Sequence, residues 1–253
     1  MTINNAFDKV CKIPPLAGGE TYKNLPVVFD KDELMIPKII HTVWTSGDPF
    51  PEKFWKFRES WMYYNPDYDF MFWDKWKIGN LCERGKFLPV TTAVLARSPH
   101  WEIVKDLCSW ELLRLFGGIR VDIDVRCQRN FDYLLQYSSF IARSWNDNPF
   151  GDSVAGASRN NPLLTDLIET IGKSILNNWD KILAGDVARY TQHSGKEVFK
   201  LFHYILPKEA FYPFDWHHVE QRDHEFPDSY AVHYWGAIDE GGWPKIMKRP
   251  ATQ

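Results

Sequence analysis

The pattern of apolar and polar positions predicts short strands that alternate with helices along the chain. Residues 36–44 form an apolar run that predicts a buried strand, and residues 46–49 have the composition of a turn. Aromatic residues at helical spacing in residues 54–61 predict a helix that ends before the Asn-Pro pair at residues 65–66. A second strand is predicted over residues 68–73, so the order is strand, helix, strand.

The strongest helical pattern covers residues 101–116, where apolar residues recur every three or four positions. The pair Gly117-Gly118 follows and predicts a helix cap and a tight turn. Residues 119–125 then alternate strictly between apolar and polar side chains, which predicts one strand. The polar side chains of this segment, which share one face of the predicted strand, are Arg120, Asp122, Asp124 and Arg126.

The rest of the chain predicts strands over residues 139–144 and 153–157, helices over residues 163–176 and about 196–204, and a largely irregular tail from Pro207. Helices that alternate with short strands favour an α/β sandwich with a mainly parallel sheet. Ligands of such sheets gather at the carboxyl ends of the strands. Asp122 and Asp124 lie at such an end if the strand frays around them.

The length of 253 residues is sufficient for a substantial core, and we expect an irregular N-terminal arm over residues 1–35 and one domain over residues 36–253. A net charge of −3 with interleaved acids and bases provides no basic surface for a nucleic acid. The chain has no run of eighteen apolar residues and no apolar signal segment at its N-terminus. We therefore expect no transmembrane segment and a cytoplasmic location, compatible with peripheral association with a membrane.

Asp122 and Asp124 carry the clearest chemical signal. Two aspartates one residue apart at the end of an apolar strand can give oxygen ligands to Mn²⁺ or Mg²⁺, and such an ion can neutralise a leaving diphosphate. Two other interpretations stay open. The acids can lie on a solvated strand face and be neutralised by Arg120 and Arg126, or Asp122 can be the nucleophile of a phosphatase-type Asp-x-Asp motif. A phosphatase also needs a downstream Gly-Asp-x-x-x-Asp motif, which the chain lacks.

Four segments stand out together: Ile36-Pro37-Lys38-Ile39-Ile40-His41-Thr42-Val43-Trp44; Ser60-Trp61 through Asn65-Pro66-Asp67-Tyr68 to Trp73-Asp74; Asp106 through Leu112 and Gly117-Gly118 to Asp122-Ile123-Asp124-Val125; and Val232-His233-Tyr234-Trp235. In this order and spacing they resemble the DXD-containing sugar-binding glycosyltransferases, a family that includes yeast mannosyltransferases and, more distantly, the large clostridial glucosylating toxins. The resemblance covers about half of the chain. It implies a GT-A fold, which is a Rossmann-like α/β sandwich, and sugar transfer with retention of the anomeric configuration.

The resemblance also implies roles for individual residues. Trp44 would flank the base of the donor, and Asp106 would hydrogen-bond to its sugar or ribose hydroxyls. Asp122 would contact the ribose and reach the metal, Asp124 would be the principal metal ligand, and His233 would complete the metal shell. The sequence alone allows a structural role for each of these residues. Trp44 can be a core residue, Asp106 can be a solvated acid on a helix, and His233 can be a packed or surface residue.

Two positions near the implied donor site differ from many members of that family. Ser109 stands where arginine is common, and Arg120 stands where an aromatic residue is common. Arg120 or Lys105 can supply the missing positive charge to the donor diphosphate, and Arg120 can equally serve only to neutralise Asp122. The aromatic, glycine-rich C-terminal segment around Trp243 is interpreted as a lid over bound donor.

These observations predict an enzyme, a glycosyltransferase of the hexosyltransferase type that uses Mn²⁺ or Mg²⁺. It would move a sugar from a UDP- or GDP-linked donor to a hydroxyl of a glycan acceptor. The alternative is a carbohydrate-binding or degenerate protein of the same fold without turnover, an interpretation that Ser109 keeps open. The expected catalytic residues are Asp106, Asp122 and Asp124, and the expected donor-binding residues are Trp44, Asp106, Arg120 and Asp122.

Overall fold

The computed structural model describes residues 35–45, 50–51, 54–97, 101–145, 150–183 and 193–236. The N-terminal arm predicted for residues 1–35, apart from Met35, the turn predicted at residues 46–49 and the lid predicted around Trp243 all lie outside these ranges. Within the described ranges, no helix is both long enough and apolar enough to span a bilayer.

A six-stranded sheet forms the centre of the protein. Its strand β1 (Ile39–Trp44) lies between β2 (Asp69–Asp74) and β3 (Gly118–Val121), and all three run parallel. The parallel strands need crossover connections, which the helices between them supply.

The other half of the sheet contains the strands β5 (Ser139–Arg143), β6 (Phe150–Ala157) and β7 (Tyr204–Leu206). The order across the sheet is β2, β1, β3, β6, β5, β7. β6 is antiparallel to both of its neighbours, β3 and β5, whereas β7 is parallel to β5. Five of the six described strands of this sheet therefore point the same way, and the predicted mainly parallel mixed sheet is confirmed.

Seven α-helices occur in the described ranges. The sequence pattern predicted the first, fourth and fifth, and part of the seventh. It missed the second and third, where short apolar runs are interrupted by polar residues, and it missed the short sixth helix. The seven helices are α1 (Trp55–Tyr64), α2 (Lys75–Glu83), α3 (Pro89–Leu95), α4 (Trp101–Phe116), α5 (Pro162–Asn177), α6 (Trp179–Leu183) and α7 (Lys196–Phe199).

Both faces of the main sheet are covered. Helices α3, α4 and α5 bury aliphatic side chains against one face, in a cluster that includes Ile141 of β5. Helix α1 and the aromatic segments near the C-terminus cover the other face, in a cluster that includes Phe140 and Ala142. Successive residues of β5 thus alternate between two buried layers, as expected for a strand enclosed on both sides.

The end of α4 is the best predicted junction in the chain. Gly117 has a φ of 68°, and its N–H donates to the Leu113 carbonyl at 2.8 Å, which closes the helix as a cap. Gly118 has a φ of 102°, and a Cβ atom there would lie 2.4 Å from the carbonyl oxygen of Ile39. Glycine is required at position 118 because β3 must start close to β1. It is required at position 117 because φ is positive and a Cβ atom there would lie 2.7 Å from the backbone nitrogen of Arg159.

The single strand predicted over residues 119–125 is wrong. β3 ends at Val121, and the strand β4 (Val125–Cys127) belongs to a separate two-stranded sheet with β8 (Ala231–His233). All four residues of β3 are buried, including Arg120. The alternation of apolar and polar residues therefore did not mark a solvated face of β3. Asp122 and Asp124 follow β3, and Asp124 is itself buried, at 7% exposed.

The helix predicted over residues 196–204 is wrong in its second half, because α7 ends at Phe199 and β7 begins at Tyr204. Phe199 and Phe202 both contact Trp110 of α4, with ring centroids at 5.8 and 6.3 Å. These contacts turn the chain toward the edge of β5. The tail predicted to be irregular from Pro207 contains β8 and two short 3₁₀ helices, Lys208–Ala210 and Val219–Asp223.

Candidate functional site

Asp122 lies at the carboxyl end of β3, where the main sheet stops. Its N–H donates to the carbonyl of Ser153 on β6 at 2.9 Å, and its own carbonyl accepts from the N–H of Val125 at 3.3 Å. The chain therefore turns over residues 122–125 instead of continuing as a strand. This is the fraying that the sequence analysis required for Asp122 and Asp124 to lie at the ligand-binding edge of the sheet.

Asp124 is held by the segment that includes and follows β8. Tyr234 N–H donates to the Asp124 carbonyl at 3.0 Å, and Gly236 N–H donates to its Oδ2 at 2.6 Å. His233 Nε2 lies 3.1 Å from the same Oδ2. Gly236 is 112 positions beyond Asp124, so this part of the site depends on the long-range pairing of β4 with β8.

Asp122, Asp124 and His233 form a cluster that could hold a metal ion. Each offers one ligand atom, and the three atoms lie within 4.8 Å of one another. Carboxylate oxygens suit hard divalent cations such as Mn²⁺ and Mg²⁺, and imidazole is a common ligand of transition metals. The structure thus brings together all three residues that the sequence analysis named as metal ligands.

The electrostatics of Asp124 and His233 favour the charged carboxylate. Burial acts to raise the pKa of Asp124, but the charge and hydrogen bond of His233 and the Gly236 N–H outweigh burial and lower the pKa to about 2. Burial acts to lower the pKa of His233, and the nearby Asp124 carboxylate reverses this and raises the pKa. Asp124 is therefore ionised across the physiological pH range and ready to bind a cation.

Asp106 and Lys105 extend the site from helix α4. Lys105 Nζ lies 3.1 Å from Asp106 Oδ1 and 3.1 Å from Asp122 Oδ2. Burial acts to lower the pKa of Lys105, but Asp106 and Asp122 outweigh it and raise the pKa, so the ammonium stays charged. Both α4 side chains keep some exposure, 17% for Lys105 and 19% for Asp106, and can meet a ligand.

Arg120 lies beneath this surface. Its side chain is 1% exposed, and its guanidinium stacks 4.6 Å from the Trp110 ring. Nη2 lies 3.2 Å from Asp106 Oδ1 and 3.4 Å from Asp122 Oδ1. Of the two roles that the sequence left open for Arg120, the contact with Asp122 is present, and Arg120 lies on the buried side of the acids.

Asp152 belongs to the same charge cluster and was missed by the sequence analysis. Its Oδ2 lies 3.8 Å from Arg120 Nη1, and the residue is 4% exposed. Burial raises the pKa of Asp152 to about 6, with the Asp106 charge adding to the effect and Arg120 opposing it. The only signal for Asp152 in the sequence was the presence of an acid inside the apolar strand β6. Such an acid is expected to be buried, and a buried acid needs a partner of opposite charge or a hydrogen-bond donor.

Trp44 and Ser109, the two remaining positions singled out from the sequence, have different surroundings. Trp44 ends β1 at the same edge of the sheet as Asp122, with its ring centroid 5.9 Å from that of Phe50. Ser109 is buried and donates to the carbonyl of Lys105 at 2.7 Å, one turn earlier in α4. Its hydroxyl is thus bound within the helix and supplies no positive charge.

Comparison with known proteins gives relatives at low identity, and no family model matches the chain. The chain is 25% identical over 150 residues to inositol phosphoceramide mannosyltransferase 3 of Schizosaccharomyces pombe, which is 59% of this chain and 41% of the relative. It is 25% identical over 170 residues to an uncharacterized glycosyltransferase of Acanthamoeba polyphaga mimivirus, which is 66% of this chain and 64% of the relative. The chain therefore spans less than two thirds of the length of either relative.

Two solved structures that share the fold are glycosyltransferases. The apo form of GlyE from Streptococcus pneumoniae matches with a TM-score of 0.52 and 12% identity, covering 83% of this chain and 56% of that chain. PaToxG glycosyltransferase matches with a TM-score of 0.51 and 17% identity, covering 64% of this chain and 68% of that chain. The fold is of the GT-A type, and at such low identities these matches concern the fold alone.

Proposed function

We propose that the protein is a metal-dependent glycosyltransferase that binds a nucleotide-sugar through a divalent cation at Asp122, Asp124 and His233. One observation carries the proposal: three ligand atoms lie within 4.8 Å of one another at the carboxyl end of β3 in a GT-A fold. The names of the curated relatives agree with this activity. The motifs support placing the chain among the DXD-containing sugar-binding glycosyltransferases.

The balance of charge at the site supports a divalent cation. The carboxylates of Asp106, Asp122 and Asp152 face the basic side chains Lys105 and Arg120, and the carboxylate of Asp124 faces His233. A histidine that binds a metal ion is neutral, and with His233 neutral the four carboxylates and two basic groups leave an excess of two negative charges. A divalent cation bound at Asp122 and Asp124 offsets that excess, so the donor set fits Mn²⁺ or Mg²⁺ in charge as well as in chemistry.

The chain's own groups fall into three roles around the donor. Asp124 and His233 hold the cation, and the Gly236 N–H fixes the Asp124 carboxylate from the other side. Asp106 is exposed enough to accept hydrogen bonds from donor hydroxyls. Lys105 rather than Arg120 is the better candidate for the diphosphate, because Lys105 is 17% exposed and Arg120 only 1%.

The chemistry follows from these roles. When bound, the cation supplies Lewis-acid neutralisation of the charge that develops on the leaving diphosphate. Lys105 adds a second positive charge beside Asp122, and the buried acids hold both basic groups in place before the reaction, which avoids reorganisation. We propose front-face transfer with retention and no covalent intermediate. Trapping of a glycosyl-enzyme adduct would show that this mechanism is wrong.

The donor is proposed to be linked to UDP or GDP, and the acceptor to carry a glycan hydroxyl. One relative is named a mannosyltransferase that acts on inositol phosphoceramide, so a mannosyl donor and a lipid-linked acceptor are the first to test. Both sheets contribute to the site, because Asp122 follows β3 and His233 ends β8. This supports the proposal that residues 36–253 act as one catalytic domain.

Calorimetric titration of UDP and GDP, with and without Mn²⁺, tests the proposal. We expect one nucleotide to bind only when Mn²⁺ is present, because the cation joins the diphosphate to the aspartates. The double variant Asp122→Asn, Asp124→Asn should lose this binding at least tenfold, since each lost carboxylate removes a charged ligand. Asp132→Asn, at a partly exposed acid paired with Lys38, is the matched control and should bind as the wild type does.

The same titration separates the alternative function. A carbohydrate-binding protein of this fold would bind glycans with neither metal nor nucleotide present. If neither nucleotide binds with Mn²⁺ while oligosaccharides do, the transferase proposal fails and the binding function takes its place.

A further inference from the structure

Asp152 is a buried carboxylate with no proposed contact to the cation or the donor, and one residue, Arg120, connects it to the proposed metal ligand Asp122. Asp152 Oδ2 lies 3.8 Å from Nη1 of Arg120, whose other terminal nitrogen lies 3.4 Å from Asp122 Oδ1. Both Asp152 and Arg120 are almost completely buried, at 4% and 1% exposed. The Coulomb interaction between them is therefore poorly screened by water or salt.

The part of the Arg120 guanidinium that faces Asp152 makes no hydrogen bonds to the residues that the structure describes. Nη2 donates to Asp106 at 3.2 Å, but within the described part of the chain Nε and Nη1 have no hydrogen-bond acceptor. Nη2 also donates to Asp122 Oδ1 in a long bond of 3.4 Å, so on the other side of the group only the Trp110 ring at 4.6 Å and the negative charge of Asp152 keep the guanidinium in this orientation. Two buried donors without acceptors are costly, so the guanidinium gains free energy if it can turn toward another carboxylate.

Asp122 is the carboxylate that would gain this contact. It already lies 3.1 Å from Lys105 Nζ through Oδ2 and 3.4 Å from Arg120 through Oδ1. A guanidinium that turned fully toward it would engage both its charge and its remaining lone pairs, as arginine does in paired hydrogen bonds to carboxylates. A small cavity lined by Asp106, Trp110 and Asp152 borders this group of side chains.

We propose that Asp152 is a positioning residue for the metal site. Its charge keeps the guanidinium of Arg120 over the Trp110 ring, so that Arg120 makes only one long hydrogen bond to Asp122 and leaves the remaining lone pairs of Asp122 available to a divalent cation. The inference rests on the proposed function, since it concerns the same cation. It assigns to Asp152 no contact with the cation or with the reacting atoms.

The test is a double-mutant cycle on Mn²⁺ affinity, measured from the electron paramagnetic resonance signal of free Mn²⁺ in the full chain. Asp152→Asn should weaken Mn²⁺ binding roughly tenfold, because the released guanidinium competes with the ion for Asp122. Arg120→Met should bind Mn²⁺ at least as tightly as the wild type. In the Arg120→Met background, Asp152→Asn should change the affinity less than twofold, since a buried acid without its cation takes up a proton.

The cycle distinguishes the positioning role from simple loss of a nearby charge. Equal effects of Asp152→Asn in both backgrounds would mean that Asp152 acts on the ion directly, and the proposal would be wrong. It would also be overturned if Asp152→Asn binds like the wild type. Asp132→Asn controls for removal of an acid elsewhere, and thermal melts report the fold of each variant.

Two further results complete the test. If Asp152→Asn does not fold, Arg120→Met decides, because a more than threefold loss of Mn²⁺ affinity in that variant contradicts a competing role for Arg120. If the wild type itself binds no Mn²⁺, the proposed metal function fails, and the role of Asp152 fails with it. If the wild type binds Mn²⁺ and the cycle shows no coupling, only the role of Asp152 fails.

Discussion

At the scale of the residue, His41 is a buried histidine whose hydrogen bonds serve the fold. Trp73 Nε1–H donates to Nδ1 at 3.1 Å, so the proton of the neutral ring is on Nε2, which donates to the Gly117 carbonyl at 2.8 Å. Burial lowers the pKa of His41 to about 4, although the bond to Gly117 works against it. His41 joins β1 to β2 and to the turn before β3, which leads to Asp122.

This pKa predicts a pH dependence of stability. The folded-state pKa of about 4 lies below the ordinary value of 6.5, so the unfolded state binds the proton more tightly between these values. Stability from neutral His41 is complete above pH 6.5 and is lost as the pH falls toward 4. Between pH 7 and pH 4.5 we expect the wild type to lose about 2 kcal/mol more free energy of unfolding than His41→Gln does.

Urea unfolding of both proteins at pH 7 and pH 4.5 measures this difference. Groups such as Asp152 also titrate in this range, but they are common to both proteins and cancel in the comparison. An identical loss in free energy of unfolding for the two proteins would contradict the assignment of a neutral, hydrogen-bonded His41.

At the scale of the element, α3 is joined to α4 by one buried carboxylate. Glu111 is 0% exposed, and its Oε1 accepts from the Leu88 N–H at 2.7 Å and from the Thr91 hydroxyl at 2.6 Å. Its Oε2 accepts from Arg114 Nε at 2.7 Å. The first turn of α3 thus receives its cap from another helix, because Leu88 has no side chain that can cap.

Loss of this carboxylate should destabilise the protein strongly. Glu111→Leu leaves buried donors on α3 and α4 without acceptors, and we expect it to lower the free energy of unfolding by roughly 3–5 kcal/mol. Glu111→Gln keeps an acceptor and should lose about 1–3 kcal/mol.

Urea denaturation checks both changes. Glu169→Gln removes an acid from an exposed pair with Lys173 on α5, and it should stay within about 0.5 kcal/mol of the wild type. A similar small effect for Glu111→Leu would mean that the α3 to α4 contact is held by apolar packing instead.

At the scale of the whole molecule, the proposed metal joins segments that are far apart in sequence. Asp122 and Asp124 lie between β3 and β4, and His233 ends β8. Without a cation, the excess negative charge of this buried group opposes folding. Binding of Mn²⁺ should therefore stabilise the folded chain as well as prepare it for a nucleotide.

We expect Mn²⁺ at about 100 times its dissociation constant to add about 2.7 kcal/mol, which raises the Tm by roughly 5–10 °C for a chain of this size. Asp124→Asn should abolish most of that shift. Differential scanning calorimetry with Mn²⁺ and with a chelator measures both proteins. An equal shift in the variant would indicate that Mn²⁺ binds elsewhere.

The sequence by itself determined the elements in which local pattern and burial agree. Residues 101–116 have one apolar stripe, and Gly117-Gly118 needs left-handed backbone, so helix α4 and the start of β3 were predicted correctly. The Asp-x-Asp pair predicted a position at the carboxyl end of a strand, and Asp122 lies there, directly after β3. These features depend on neighbours within a few positions, and such information is present in any short stretch of chain.

Only the tertiary structure decided what surrounds that pair. The burial of Arg120 against Trp110, the presence of Asp152 in the same charge cluster and the 3.1 Å distance between His233 and Asp124 depend on which strands become neighbours. Strand pairing brings together residues separated by many positions, and alternation within one strand does not state which face stays covered. For this reason a solvated face stayed open as an alternative for a strand that is buried, and Asp152 was not predicted.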